Sequence, residues 1–338
     1  MPDPLVVIDA DVLGRNRTGD ETYTENLLRA LVAVAAGLRL AAVTRRPDLV
    51  PPGIEPVELA TPSQELRMAV TLPRLLRRLR PALCHFQHAF PLRLEAPAVL
   101  TVHDLSFERD PALMGRVDRL TFKTMVPRAV RRAERVLAVS ERTRRDLREL
   151  YGTPDAKIVV TPNAVDPAFG PGDADGEPYL LFVGAIQERK DPLAAADAAA
   201  AVGLPLVVVG PEKEPALARE LERRGARLRG YVAKPELAEL YRGASALLLP
   251  SRYEGFGLPV LEALASGTPV VAAPEEALQE VAGDAAVYAD REQLADGVRR
   301  ALRERERLRA AGLERAKAFS WEETARRTAA VYREVLGR

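Results

Sequence analysis

The chain has 338 residues, 47% hydrophobic and 29% charged, with 49 Lys plus Arg against 48 Asp plus Glu and a net charge of +1. That balance excludes a disordered chain and bulk attraction to nucleic acid, and the length suits two domains of similar size. One cysteine, Cys84, excludes an intrachain disulfide framework and a multi-cysteine zinc site, which fits a reducing cytoplasm. The start, MPDPLVVIDADVLG, lacks a secretory pattern, and no apolar run nears the roughly 20 residues of a membrane span. A soluble or peripherally attached protein is expected.

Short apolar runs separated by helical stretches predict parallel strands buried on both faces. They fall at 5–10, 38–44, 82–86, 98–102, 135–140 and 157–161 in the first half, and at 179–184, 204–210, 246–250 and 269–273 in the second. The alternation predicts an α/β fold of two doubly wound domains. These are residues 1–169, a turn-rich acidic linker at 170–178, residues 179–319, and a C-terminal helix at 320–338 with Ser320 as N-cap and Glu323 completing a capping box.

Along the first domain, Gly19 precedes a helix that carries Tyr23, Leu27 and Leu31 on one face. PRLLRRLR, residues 73–80, reads as a helix with its leucines on the sheet, while peripheral membrane contact through Arg74, Arg77, Arg78 and Arg80 stays open. His85 and His88, three apart on an extended strand, point to opposite faces and do not form a chelating pair. TVHDLSF places His103 and Asp104 at a strand end, and Ser140 reads as a helix N-cap. In the second domain, VGAIQERKDP is a strand ending in glycine and then a loop with Arg189 and Lys190, cations able to neutralise a departing diphosphate.

The most informative stretch is YEGFGLPVLEALASG, residues 253–267. Gly255 and Gly257 free the backbone to approach a ligand, Pro259 suits the first turn of a helix starting near Leu258, and Gly267 suits its left-handed cap. The unpaired amides of that first turn and the positive end of the helix dipole favour an anion such as phosphate. Glu262 lies among Leu258, Val260, Leu261, Ala263, Leu264 and Ala265, where a carboxylate needs hydrogen-bond donors; ribose hydroxyls suit. Glu254 lies on the other side of the turn, where a donor sugar would sit.

Extended to PSRYEGFGLPVLEALASGTPVV, the string resembles the family 4 retaining glycosyltransferases, in which two glutamates eight apart sit within PS-x-x-EGFGLP-x-x-EA-x-A-x-G-x-PV. The resemblance covers nearly the whole chain. It implies the GT-B architecture, with two Rossmann-like domains facing across a cleft, the first binding acceptor and the second nucleotide sugar, and a terminal helix crossing back to the first. It implies that Lys190 and Arg189 hold the diphosphate together with the turn Gly255, Phe256, Gly257 and Leu258, that Glu262 holds the ribose, and that Glu254 holds the sugar. Tyr231 and Val232 would border the nucleobase, and Gly19 would reach the diphosphate. His103 would contact the transferred sugar, making His103, Lys190 and Glu254 the catalytic set, with Asp20, His103 and Asp104 on the acceptor side. Two departures are present: Ala185 stands where many members have arginine, and Gly19 is followed by Asp20 and Glu21 where many have a second glycine.

No metal site and no cofactor are expected beyond the sugar nucleotide itself. Asp9 and Asp11 form an Asp-x-Asp pattern, but at the first strand, where the family uses no metal, and two cations with a helix terminus can supply the charge. VGAIQERKDP leans toward the mannosyltransferase-like branch, so a GDP-sugar is the favoured donor and a UDP-sugar the next, with a glycan, lipid-linked or small-molecule acceptor. A non-catalytic sugar-nucleotide-binding subunit of a transferase complex is the rival from another class. An epimerase or phosphorylase on the same scaffold is a further alternative, although the chain is short for phosphorylases and EGFGLP does not resemble epimerases.

Overall fold

Each apolar run becomes the interior of one of two all-parallel sheets. The computed structural model describes residues 3–15, 18–61, 63–109, 116–172 and 176–337. The first sheet contains β1 (Leu5–Asp9), β2 (Arg39–Thr44), β3 (Glu55–Glu58), β4 (Leu83–Gln87), β5 (Ala98–Val102), β6 (Arg135–Ala138) and β7 (Ile158–Val160), in the order β3-β2-β1-β4-β5-β6-β7. The second contains β8 (Leu180–Val183), β9 (Leu206–Val209), β10 (Arg227–Leu228), β11 (Ala246–Leu249), β12 (Val270–Ala272) and β13 (Ala286–Tyr288), in the order β10-β9-β8-β11-β12-β13. Central strands such as β5 and β11 are buried along their whole length because helices cover both faces.

Three strands escaped the sequence reading: β3, β10 and β13. All three lie at sheet edges. β3 is EPVE and almost wholly exposed, β10 has two residues, and β13 has three, so none carries the continuous apolar signal of an interior strand.

The chain divides into two compact units, Met1–Asn163 with Trp321–Arg338, and Ala164–Ser320. The boundary therefore lies upstream of the linker expected at 170–178, of which residues 173–175 are outside the described residues. The reason is local. Asp166 already pairs with Lys234, at 2.6 Å, and the Phe169 ring meets that of Tyr241 edge-on at 5.7 Å, so residues 164–169 are part of the second unit's packing. Among helices, Leu72–Leu79 buries Leu72 and Leu76 while Arg74, Arg77 and Arg78 are exposed, and Ser140 caps Glu141–Tyr151 by accepting from the Thr143 amide. Among the described residues no helix is long and apolar enough to cross a membrane.

The terminal helix, Trp321–Val335, packs on the helix Thr18–Val34 within the first unit. The Trp321 ring meets Tyr23 at 6.0 Å, Thr324 donates to the Pro162 carbonyl, and Arg333 donates to the carbonyls of Val34 and Ala36. At the centre of this contact, His85 is buried with both nitrogens engaged, Nδ1 with the Tyr332 hydroxyl at 2.6 Å and Nε2 with Thr101 Oγ1 at 2.7 Å. Burial drives its pKa down to about 3, so the imidazole is neutral. Tyr332→Phe keeps the ring and strands Nδ1, and is expected to cost about 1–3 kcal/mol. Denaturant unfolding followed by fluorescence of Trp321, the single tryptophan, measures it; an unchanged midpoint would mean that the Tyr332–His85 bond adds nothing to the hold on this helix.

Candidate functional site

In the second sheet the chain runs outward from β8 to β10 on one side, then returns and runs outward from β11 to β13 on the other. The switch point is thus between β8 and β11, where the loops leaving the two carboxyl ends must diverge and leave a crevice for ligand. Those loops carry residues 184–191 and 250–257, the two segments that the sequence singled out.

The loops are stitched together. Arg252 donates its amide to the Arg189 carbonyl at 2.9 Å and its guanidinium to the Glu188 carbonyl at 3.0 Å, and Arg189 Nη1 donates to the Tyr253 carbonyl. Lys190, in a short turn over Glu188–Lys190, reaches Glu254 Oε1 at 2.5 Å, with Arg189 Nη1 3.7 Å from Glu254 Oε2. Lys190, Glu254 and Glu262 are 9, 6 and 8% exposed, too buried to be the solvated surface charges that a lone lysine or glutamate usually is. Burial would raise the Glu254 pKa, but Lys190 and Arg189 outweigh it and hold the carboxyl below its usual range. Position 185 is alanine, and Arg189 supplies the second cation beside Glu254.

The helix Leu258–Ser266 begins where the sequence places it and ends at Gly267, at φ 76°. Gly257 adopts φ 100°, and a Cβ there would come within 2.6 Å of Leu278 Cδ2, so both conformation and space require glycine. Among the described residues the amides of Phe256, Gly257 and Leu258 donate to no protein acceptor. They are the donors that a helix N-terminus offers to an anion. Phe256 is buried edge-on against Phe319 at 5.8 Å, which fixes the turn from behind.

Glu262 lies on the buried face of that helix and accepts from the Tyr241 hydroxyl at 2.8 Å. Burial pushes its pKa up to about 7, only partly opposed by Tyr241, with Asp166 raising it and Lys234 lowering it. Burial and Glu262 together keep the Tyr241 phenol protonated, hence a donor. Tyr241, Asp166 and Lys234 were missed in the sequence, where a tyrosine on an apolar helix face and a lysine at a helix start carry no distinguishing signal. After β10, Tyr231 is 55% exposed and Val232 buried, and the Gly230 carbonyl accepts from the Gly210 amide at 2.8 Å, tying that loop to the end of β9.

The first unit holds a separate group of predicted residues. His103, just past β5, is buried, its Nε2 2.8 Å from Gln87 Oε1 and its ring edge-on to Tyr23 at 4.7 Å. Burial first, with His88 adding, pushes its pKa down to about 4 against the pull of Asp20 and Asp104. Asp104 accepts from the amide and hydroxyl of Ser106, the role of a turn residue at the start of Ser106–Arg109. The helix expected after Gly19 begins at Thr18, so Gly19 and Asp20 are in its first turn, and Tyr23, Leu27 and Leu31 are buried together. His88, past the end of β4 at φ 57°, stands beside His103 at 5.2 Å rather than near His85. Asp20, His88 and His103 each bring one ligand atom within 4.8 Å of the others, a grouping that the expectation of no metal site had not foreseen; Nε2 of His103 already has Gln87 as its partner.

Two doubly wound parallel units, one with buried cations and a helix N-terminus at its switch point, match the fold of the GT-B glycosyltransferases. Residues 17–169 match the family Glycosyltransferase Family 4 and residues 168–318 match Glycosyl transferases group 1. The chain is 31% identical over 274 residues to the O-antigen chain mannosyltransferase B of Escherichia coli, covering 72% of this chain and 71% of that one. It is 34% identical over 278 residues to a D-inositol 3-phosphate glycosyltransferase of Geodermatophilus obscurus, covering 71% of this chain and 62% of that one. Its fold is similar to that of Anabaena HepE, solved in complex with UDP-glucose, with a TM-score of 0.75 at 14% identity over 98% of this chain and 99% of that one. The chain belongs to glycosyltransferase family 4, the group 1 glycosyl transferases.

The Glu262 carboxyl gives a stability test. With a folded pKa near 7 against the usual 4.5, its contribution is fully present below about 4.5 and is lost as pH rises through 7. Glu262→Gln keeps an oxygen for Tyr241 and removes the buried charge. It is expected to melt with the wild type at pH 5 and to exceed it at pH 8, by up to about 3 kcal/mol. Melting curves at the two pH values check this; a variant that tracks the wild type at both would mean that Glu262 is not ionised in a dry site.

Proposed function

We propose that the protein transfers a hexosyl unit from a nucleoside diphosphate sugar to an acceptor hydroxyl with retention of anomeric configuration. The observation that carries this reading is the conjunction at the second switch point: Lys190 and Arg189 on Glu254, beside three amides without a protein acceptor, with Glu262 on the helix that follows. Lys190, Arg189 and the amides of Phe256, Gly257 and Leu258 stabilise the negative charge that builds on the departing diphosphate. Glu254, ionised and held by the two cations, accepts from hydroxyls of the sugar. Glu262 accepts from the ribose. His103, neutral, is assigned to a substrate hydroxyl, and Asp20 to the acceptor. The leaving phosphate oxygen assists deprotonation of the acceptor on the same face of the sugar, without a covalent enzyme intermediate and without a metal.

A mannosyl group from a GDP-sugar is the favoured donor, supported by the likeness to the E. coli mannosyltransferase. A UDP-sugar is the next, supported by the fold shared with HepE. The acceptor is a glycan, a lipid-linked saccharide or a small polyol, made on the cytoplasmic side; the likeness to an inositol phosphate glycosyltransferase supports keeping the last class.

Thermal unfolding against UDP, GDP and ADP with their common sugars tests the donor site. Saturation at about 100 times the dissociation constant adds roughly 2.7 kcal/mol. One base is expected to raise the melting temperature selectively, and Lys190→Ala, shown folded by circular dichroism, to remove the shift. The same variant is expected to lose at least tenfold in turnover, since charge-assisted bonds are worth roughly 1.5–3 kcal/mol each. Wild-type turnover in folded Lys190→Ala would overturn the phosphate site, and nucleotide binding without turnover on any acceptor would favour the non-catalytic subunit.

A further inference from the structure

We propose that Gln87 is a positioning residue that fixes His103 as its Nε2–H tautomer, leaving Nδ1 as a hydrogen-bond acceptor for a substrate hydroxyl. This rests on the reading of the protein as a glycosyltransferase that uses His103, and it assigns a direction to the hydrogen bond that reading requires.

The argument runs through one chain of hydrogen bonds. Thr24 Oγ1 donates its only hydrogen to the Asp20 carbonyl at 2.8 Å, one helical turn earlier. Toward any other group it can only accept. Gln87 Nε2 donates to it at 2.5 Å, which sets the orientation of the Gln87 amide. Gln87 Oε1 therefore faces His103 Nε2, at 2.8 Å, and an amide oxygen has no hydrogen to give. The hydrogen in this bond must come from the imidazole. A neutral imidazole has one N–H, so Nδ1 carries a lone pair, and among the described residues Nδ1 has no protein partner.

The surroundings hold this arrangement. Thr24 is buried, and Tyr23, edge-on to the His103 ring at 4.7 Å, is itself bonded to Thr101 at 2.8 Å, so it cannot swing into the place of Gln87. Nothing in the sequence marks Gln87 as different from the other polar residues in HFQHAFP. A group that accepts and does not donate recognises a hydroxyl through its hydrogen. A substrate analogue with fluorine in place of that hydroxyl keeps size and polarity and loses the contact, so the tautomer makes His103 a selector for hydroxyl donors.

The test uses the full chain labelled with ¹⁵N-histidine, where three histidines give three imidazole spin systems. In the wild type, His103 is expected to show a protonated Nε2 and a bare Nδ1. Gln87→Leu removes the acceptor oxygen and is expected to give a mixture of tautomers, with kcat down about tenfold and the nucleotide dissociation constant within twofold of wild type. Thr24→Val, close in shape, lets the amide turn and is expected to raise the Nδ1–H form, with a smaller loss in kcat; it keeps the test intact should Gln87→Leu fail to fold. A wild-type His103 protonated at Nδ1, or Nε2–H retained in both variants, would overturn the proposal. So would a changed tautomer with unchanged kcat. Absence of turnover in the wild type, with the tautomers as expected, would instead remove the transferase reading and leave the hold of Gln87 on His103 in place.

Discussion

The ion pair between Lys190 and Glu254 joins the two loops that the reversal of strand order forces apart. Without Lys190, Glu254 would keep only the more distant Arg189, and without Glu254 the buried Lys190 would lose the carboxylate that offsets its burial. Paired, they hold Lys190 buried beside the loop that leads into a helix N-terminus, with the one carboxylate offsetting the charges of both Lys190 and Arg189. The backbone bonds from Arg252 and Arg189 keep the loops in register, so the geometry does not depend on side-chain charge alone. Arg189 approaches the same carboxylate from the neighbouring position in the turn, so two cations share it.

Two glutamates eight residues apart meet opposite environments. Glu254 has two cations and is held ionised, while Glu262 has a phenol and is held close to half protonated at neutral pH. Divergent titration of like groups at one site is a common sign of different tasks. The glycine between them makes the difference possible. Gly257 turns the chain through a left-handed conformation so that Glu254 remains on the loop and Glu262 goes under the helix.

Much of this was legible in the sequence. Ten of the thirteen strands among the described residues announce themselves, because a strand covered on both faces must be apolar throughout, and the helix after Gly257 is written in its proline and terminal glycine. β3 escapes because it is polar and exposed, and β10 and β13 because two or three residues are too short to make an apolar run. The boundary at Asn163 escapes because Asp166 and Phe169 are tied to the second unit by partners some seventy residues later, Lys234 and Tyr241, and turn composition cannot report a distant contact. The same holds for Gln87, whose significance lies in Thr24 and His103, each on another element.

The unusual poise of Glu262 reaches beyond the fold. The deeply buried histidines, His85 and His103, do not change charge near neutrality, whereas the Glu262 carboxyl does. On the proposed reading, in which Glu262 accepts from ribose hydroxyls, its anion is the stronger acceptor, so a proton and a nucleotide would compete for the same oxygens. Donor capture would then expel a fraction of a proton to solvent, and affinity for the sugar nucleotide would inherit a dependence on pH from a residue that never touches the bond being broken.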